Sequence, residues 1–354
     1  MKYFRGSIIV TIIGFILAYF WAEYHIAPGS GIKVLFITLC LSVLEVTLSF
    51  DNAVVNAMVL EKMTPKWQQR FLTWGIAIAV FGMRFLFPVI IVSIFSKLSM
   101  IETVKLAFDD VAQYTHYLHI AHAPLLAFGA AFLMMVGLSY FFDDIKHPWI
   151  KPIENFTQKL KGKHIDLVMA ILCVCAIVAI IPEEIRSTVG LSGLFGIVLF
   201  GVVRGMCSLL ERAQAKKVAQ GVASGGFLLF LYLEILDASF SLDGVLGAFA
   251  ISKDIIVIGV GLAIGAMFVR SLTILLVRKK TLNEYIYLGS GAHYAILALS
   301  TIMFISILYE INEIITGCLG LLFVGSSFVA SLIENKKNAH VCRLEGAETE
   351  EDQS

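Results

Sequence analysis

Two short motifs place acidic residues inside long apolar stretches of the sequence. The first runs from Glu45 to Asn52 and the second from Asp237 to Gly244, and both follow the pattern acid-x3-Ser-x-Asp. Glu234 lies one helical turn before Asp237 and adds a fifth carboxylate. A charged side chain at membrane depth costs at least about 2.5–3.5 kcal/mol, so such residues are functional candidates by default. The two motifs are therefore the places where chemistry is expected.

The spacing within each motif predicts a polar helix face with a local distortion. On an α-helix, Glu45, Ser49 and Asn52 fall on one stripe, and so do Asp237 and Ser241. The second acid of each motif lies about 120° away from that stripe on a straight helix. A local unwinding near residues 50–52 and 242–244 would bring these acids back to the polar face, as in the discontinuous helices of transporters.

Carboxylate, amide and hydroxyl oxygens, with no Cys or His inside the motifs, predict an all-oxygen cation site. Such a site suits a hard divalent cation such as Mn²⁺, Ca²⁺ or Mg²⁺ as substrate, and the residues do not distinguish among the three. Protonation of one or more of the acids would supply counter-ion coupling. The predicted metal ligands are Glu45, Asp51, Asn52, Glu234, Asp237 and Asp243.

An alternative is that the acids are held in buried ion pairs by Arg84, Arg204 and Arg270, the arginines inside apolar stretches. Arg84 and Arg270 are then structural partners or gates rather than ligands. Polar residues that could line or gate the site are Ser49, Ser241, Arg84, Arg270, His122 and His293. For the two histidines, a role in packing is the alternative to a proton relay.

Composition predicts the elements that carry these motifs to be membrane-spanning helices. Of 354 residues, 58% are hydrophobic and 15% are charged, which excludes an ordinary soluble enzyme, and the net charge of +0 offers no basic surface for nucleic acid. The HExxH, GxSxG and GxxxxGK[ST] signatures are absent, so no enzyme activity is predicted. Ten stretches are apolar enough to span a bilayer: 6–22, 32–60, 71–96, 124–142, 167–181, 191–210, 226–251, 255–277, 291–309 and 314–333.

The distribution of lysine and arginine predicts the orientation of these spans. With ten spans, 19 of the 27 basic residues fall on one side, 5 fall on the other and 3 lie within spans. Because short cytoplasmic loops carry the excess of positive charge, both termini are expected in the cytoplasm of a multi-pass protein of the cell membrane, either plasma or inner.

The two motifs also belong to an internal repeat. They are offset by 192 residues, and the match continues from Gly75 before Arg84 to Gly261 before Arg270. Five spans separate the copies, so they cross in opposite directions, which predicts an all-α, five-plus-five inverted repeat with its site near the midplane. The first repeat covers residues 1–181 with a basic cytoplasmic loop at 143–166, the second covers 182–334, and 335–354 is expected to be a disordered cytoplasmic tail.

Two segments of the sequence, together with Glu234-x-x-Asp237 and the Arg84 span, resemble the TerC family within the LysE transporter superfamily. The segments are Ser49-Phe50-Asp51-Asn52-Ala53-Val54 and Ser239-Phe240-Ser241-Leu242-Asp243-Gly244-Val245. The resemblance covers residues 32–145 and 222–310. It implies manganese homeostasis, with Mn²⁺ export or metal resistance as the activity and the Asp51 and Asp243 motifs as the metal site.

Three functions remain open from the sequence. The first is a secondary transporter that exports a divalent cation and interacts with the bilayer and the metal ion. The second is a non-transport membrane scaffold or component of a metal-resistance complex in which the acids hold a structural cation. The third is a LysE-type exporter of an amino acid or other small solute. Nothing in the sequence identifies a protein partner.

Overall fold

The computed structural model of the protein describes residues 4–143, 147–160, 164–218, 226–252, 254–278, 285–309, 311 and 313–351. Within these ranges the side chains of residues 72, 76, 207, 209–218, 240–247, 249–250, 313–314 and 338–351 are not part of the description. The described backbone is helical almost throughout and contains no strand. The all-α class predicted from composition is therefore confirmed for this part of the chain.

Fourteen α-helices follow one another along the described chain. They are α1 (Arg5–Trp21), α2 (Gly31–Leu48), α3 (Phe50–Glu61), α4 (Pro65–Ala77), α5 (Phe87–Ser96), α6 (Met100–Asp109), α7 (Val111–Phe142), α8 (Lys151–Lys159), α9 (Ile165–Ile180), α10 (Glu183–Val218), α11 (Gly226–Ile251), α12 (Ile255–Arg278), α13 (Leu288–Ser306) and α14 (Glu313–Glu351). Two π-helical segments extend this set, Ala22–Ile26 after α1 and Ile78–Leu86 between α4 and α5.

Eight helices among the described residues are long and apolar enough to cross a bilayer. Every one of the ten predicted stretches contains helix, but two of them are not among the eight. One is α9, whose 16 residues span about 24 Å and fall short of a hydrocarbon core of about 30 Å. The other is α11, which includes side chains outside the description. The chain is a multi-pass membrane protein.

Two long helices, α7 and α12, lie at the centre of the bundle. Each is buried over most of its apolar length, α7 against α10, α13, α11 and α9, and α12 against α2, α1 and α3. By contrast, α1 exposes Ile9 and Ile13, and α10 exposes Phe195. Apolar side chains on the outside of such a bundle are in their preferred environment only when they face lipid.

The first motif lies at a break between two helices. Ser49 separates α2 from α3, one residue before the region in which unwinding is predicted. The second motif differs, because the backbone of α11 is helical without interruption through residues 242–244, where unwinding is also predicted.

The chain end also differs from its prediction. α14 continues to Glu351, so the tail expected to be disordered from residue 335 has helical backbone up to that point. Extending an existing helix avoids the cost of nucleation, and the Lys, Glu and Ala residues of this segment are good helix formers.

A short helix, α6, connects α5 to α7 outside the candidate spans. It begins with a capping box in which Ser99 and Glu102 exchange hydrogen bonds. The hydrogen bonds from Ser99 hold the pKa of the Glu102 carboxyl below its usual range. This stabilises the N-terminus of α6, which packs against α5 and α7.

Close contact between α12 and α2 depends on two glycines one turn apart, Gly261 and Gly265. The Ser42 hydroxyl donates a hydrogen bond to the Gly261 carbonyl over 3.0 Å. A methyl group at Gly265 would lie 2.7 Å from the Ser42 carbonyl oxygen and 2.7 Å from Glu45 Cγ. Glycines four residues apart allow this approach between helices in membranes.

We therefore expect Gly265→Ala to lower the thermal unfolding midpoint of the purified protein. The added methyl meets backbone that cannot move aside, and such overpacking costs about 1–3 kcal/mol. Gly325→Ala on α14 is the matched control, because a methyl there meets no described atom within 4 Å. Equal midpoints for the two variants would show that α12 and α2 are not in this contact.

Candidate functional site

Five charged side chains from both motifs and their neighbouring helices form one buried cluster. They are Glu45 on α2, Arg84 in the π-helical segment, Glu234 and Asp237 on α11, and Arg270 on α12. Their exposed fractions lie between 1% and 7%. The polar faces predicted for the two motif helices therefore meet inside the bundle.

Arg84 connects the two halves of the chain. Its guanidinium pairs closely with the Glu45 carboxylate and lies 3.8 Å from Asp237 Oδ2. Its Nη1 also donates to the Ala79 carbonyl over 2.9 Å. Ala79 and Arg84 both belong to the π-helical segment, and π-helical turns inside α-helices are often found at functional sites.

Arg270 makes the corresponding contacts on the other side of Asp237. Its Nη2 lies 3.5 Å from Glu234 Oε1 and 3.6 Å from Asp237 Oδ2. Nη1 donates to the Phe71 carbonyl over 3.2 Å, and the guanidinium carbon lies 4.3 Å from the centre of the Phe71 ring. Asp237 is thus shared by both arginines.

The polar residues of the first motif complete this cluster. Asn52 Nδ2 donates to Asp237 Oδ1 over 2.8 Å, and the Ser49 hydroxyl donates to Glu45 Oε1 over 3.2 Å. Ser49 is the residue at the helix break, so the break directs its hydroxyl and the Asn52 amide into one centre.

Asp51 differs from the other acids in its partners. It is 3% exposed, and its Oδ1 accepts a hydrogen bond from the backbone N–H of Asn52 over 3.0 Å. Its carboxyl faces α14, where a methyl at Gly320 would lie 3.6 Å from Asp51 Cγ. No described lysine, arginine or histidine forms an ion pair with it. Its charge is therefore not compensated by the described part of the chain.

Acids outnumber arginines in and beside the cluster, and several buried oxygens there accept no hydrogen bond. With Asp51 counted beside the cluster's own acids Glu45, Glu234 and Asp237, four carboxyl groups are buried near two guanidiniums. On the motif helices α2, α3 and α11, four buried oxygens accept no hydrogen bond from other described atoms: Asn52 Oδ1, Asn56 Oδ1, Glu234 Oε2 and Asp237 Oδ2, of which the last lies within ion-pair distance of both arginines. A buried acceptor without a partner costs about 1–3 kcal/mol, so this centre is suited to take up cations or protons.

The described structure does not bring the predicted metal ligands together as a ready metal site. Among the described residues, no three His, Cys, Asp or Glu side chains form a group that could hold a metal ion. The guanidiniums lie between the carboxylates, as the ion-pair alternative predicts for Arg84 and Arg270. The side chains of Ser241 and Asp243 lie outside the described residues.

The third arginine of that alternative lies elsewhere. Arg204 pairs with Asp143 at 3.1 Å and with Asp166 at 3.3 Å, and its side chain is 44% exposed. The expectation that Arg204 neutralises the motif acids is wrong, because α10 carries it to the ends of α7 and α9 instead.

The two histidines of the prediction have different environments. His293 is buried, stacks on Tyr140 with ring centres 3.8 Å apart, and donates from Nδ1 to the Gly289 carbonyl over 2.8 Å. These contacts are those of a packing residue. His122 is half-buried on α7.

One cavity adjoins Arg84 and a second cavity lies next to the first, and the sequence did not predict either. The first, of about 260 Å³, is bordered by Arg84 and otherwise mainly by apolar and aromatic side chains that include Phe81, Phe85 and Tyr114. The second, of about 710 Å³, is more polar, with Lys33 and Asp254 in its wall. Ala107, Phe108 and Ile255 line both, so the cavities are neighbours.

Comparison with known proteins gives one match. A family model described as a protein of unknown function, DUF475, matches residues 50–338, which include both arginines and the second motif. No curated protein and no solved structure matches the chain. The geometry of the cluster is therefore the basis for assigning a function to the chain.

Proposed function

The chain belongs to the DUF475 family of proteins of unknown function, and we propose that it is a secondary transporter that exports a divalent cation, first of all Mn²⁺, from the cytoplasm. The observation that carries this proposal is the excess of buried acids over arginines when Asp51 is counted with the cluster, together with the buried oxygens that accept no hydrogen bond. With the four acids ionised, one divalent cation would balance the two negative charges that the arginines leave over.

The side chains of the described cluster offer oxygen atoms as ligands and include no sulfur atom or imidazole ring. This donor set favours a hard cation over a thiolate-seeking metal. A cation that binds between Asp237 and its neighbours must displace at least one guanidinium, because both arginines lie against that carboxylate. Asp243, two turns beyond Asp237 in sequence, would be a further ligand. Protons on the same acids would be the coupling ions when the cation is absent.

We also propose the five-plus-five inverted repeat as the architecture of this transporter. Two contacts between the halves support it, because they join positions that correspond in the repeat. Gly261 on α12 receives the Ser42 hydroxyl of α2. Its counterpart Gly75 on α4 lies against Glu234 of α11, the counterpart of Ser42. In the repeat, α2 corresponds to α11 and α4 corresponds to α12. The α2–α12 contact and the α4–α11 contact are therefore equivalent, and each joins one helix of the first half to one helix of the second.

We propose further that the chain belongs to a TerC-like group. We also place it in the cell membrane with both termini in the cytoplasm. The paired Asp motifs support the first, and the 19-to-5 distribution of basic residues supports the second. The neighbouring cavities support a path from Arg84 towards the end of the bundle where α1, α2, α11 and α12 meet.

Flux measurements test this function directly. Cells without the protein are expected to accumulate Mn²⁺ under manganese excess, and the purified chain in liposomes should carry Mn²⁺ but not lysine. Elemental analysis of cytoplasm and a manganese-sensitive dye inside the liposomes provide the readouts. Transport of lysine without Mn²⁺ would instead identify a small-solute exporter.

A non-transport scaffold is the second candidate, and the ion pairs favour it. Glu45 and Glu234 each have an arginine partner, as in a static buried network. In this case the liposomes would show no flux of either solute. Bound Mn²⁺ would then act as a structural cation and raise the thermal unfolding midpoint without being moved.

A further inference from the structure

The short helix α8 connects α7 to α9, and one of its faces packs against the bundle through hydrogen bonds. Gln158 Nε2 donates to the carbonyls of Phe141 and Asp143, over 3.1 and 2.6 Å, at the end of α7. Glu154 is fully buried and accepts hydrogen bonds from the amides of Trp149 and Ile150. Glu154 and Gln158 are four residues apart, so one stripe of α8 faces the protein.

The opposite face of α8 is apolar and uncovered. Ile153, Phe156 and Leu160 are 48%, 61% and 44% exposed, and their spacing places them together on the side away from Glu154 and Gln158. Their exposure to water would cost free energy. Because α7 and α9 are apolar helices that enter the bilayer, α8 between them lies at the membrane surface.

Positive charge accompanies this apolar face. Lys151 and Lys159 are exposed on the flank of α8, and the sequence from 143 to 166 contains five lysines. Of the described acids in the same region, Glu154 is buried under α8, while Asp143 and Asp166 are paired with Arg204. Among the described residues, Lys151 and Lys159 therefore have no acidic partner and can attract an external anionic surface.

We propose that α8 is an interfacial helix that inserts Ile153, Phe156 and Leu160 among acyl chains and binds anionic phospholipid headgroups through Lys151 and Lys159. A helix with an apolar face and flanking lysines binds such a surface by burial together with charge attraction. The apolar face is only about 10 Å long, too small for a stable protein interface of about 800 Å² per partner.

Photo-crosslinking in the full-length protein tests the lipid contact. Phe156→p-benzoylphenylalanine keeps an aromatic side chain, and Asn155→p-benzoylphenylalanine on the flank that carries the lysines is the matched control. After illumination in vesicles, mass spectrometry should find several-fold more lipid adduct at position 156 than at 155. An adduct with a second copy of the chain, or equal lipid adducts at both positions, would overturn the proposal.

The headgroup is tested in vesicles of phosphatidylcholine with and without phosphatidylglycerol. The adduct at position 156 should be enriched in phosphatidylglycerol relative to the bulk lipid. Lys151→Gln and Lys159→Gln should each lower that enrichment by up to about fivefold. Asn155→Gln should leave it unchanged. The same lipid ratio in the adduct and in the bulk would overturn headgroup binding, whether or not the chain transports a cation.

Discussion

Asp51→Asn is expected to abolish cation export while leaving the folded protein at least as stable as the parent. The Asp51 carboxyl is buried and has no described cationic partner, so its removal relieves desolvation without breaking an ion pair. Loss of a buried charge that pairs with the cation costs about 3–5 kcal/mol, which lowers cation affinity more than a hundredfold. Flux of Mn²⁺ into liposomes and the thermal unfolding midpoint measure the two effects.

The control for Asp51→Asn is Glu183→Gln at the start of α10. The Glu183 side chain is 86% exposed and pairs only with Arg186 at 3.3 Å among the described groups, so its charge is solvated. This variant should transport at the parent rate. Full transport by Asp51→Asn would place the cation elsewhere. A large drop in its unfolding midpoint would mean that Asp51 serves the fold.

Arg84→Gln should have the largest effect on stability. It leaves Glu45 buried without an arginine partner and Asp237 with Arg270 alone, and removal of one member of a buried charge network typically costs about 3–5 kcal/mol. Arg204→Gln is the matched control, because its pairs with Asp143 and Asp166 are partly exposed and such pairs are worth about 0–1 kcal/mol. Thermal or denaturant unfolding in detergent measures the difference.

A second substitution shows whether the loss arises from the unpaired carboxylate. Glu45→Gln in the Arg84→Gln background removes that charge and should recover much of the stability, which is the coupling that a double-mutant cycle reports. Mn²⁺ should raise the unfolding midpoint of Arg84→Gln more than that of the parent if a cation can take the place of the guanidinium. Additive effects of the two substitutions would contradict the Arg84–Glu45 pair.

Much of the helical architecture can be predicted from residue type and order. Apolar stretches long enough to span a bilayer predict helices because backbone groups in lipid must bond within their own segment. Each of the ten stretches contains helix. The π-helical segment around Arg84 could not be predicted, since its turns depend on the packing of α11 and α12 against it and on the acids of α2 and α11 that meet the guanidinium.

The helix break at the first motif and the continuous helix at the second have nearly the same local sequence pattern. Ser49 interrupts the backbone, whereas the corresponding region of α11 does not. Local pattern is therefore insufficient to decide whether a helix unwinds. The free energy of the broken backbone depends on which polar groups meet it, here Glu45 on the last turn of α2 itself and Asp237 on α11.

Residue order was enough to predict the burial of six charged residues, because apolar stretches carry Glu45, Asp51, Arg84, Glu234, Asp237 and Arg270 into the bundle. The same rule fails for Arg204, which lies in an apolar stretch but has a partly exposed side chain. Residue order did not determine how the charged residues pair. Arg84 and Asp237 are 153 residues apart, and Arg204, which shares their apolar surroundings in sequence, binds other acids. Only tertiary packing decided this, because Coulomb attraction in a low-dielectric interior falls with distance in space and is independent of separation along the chain.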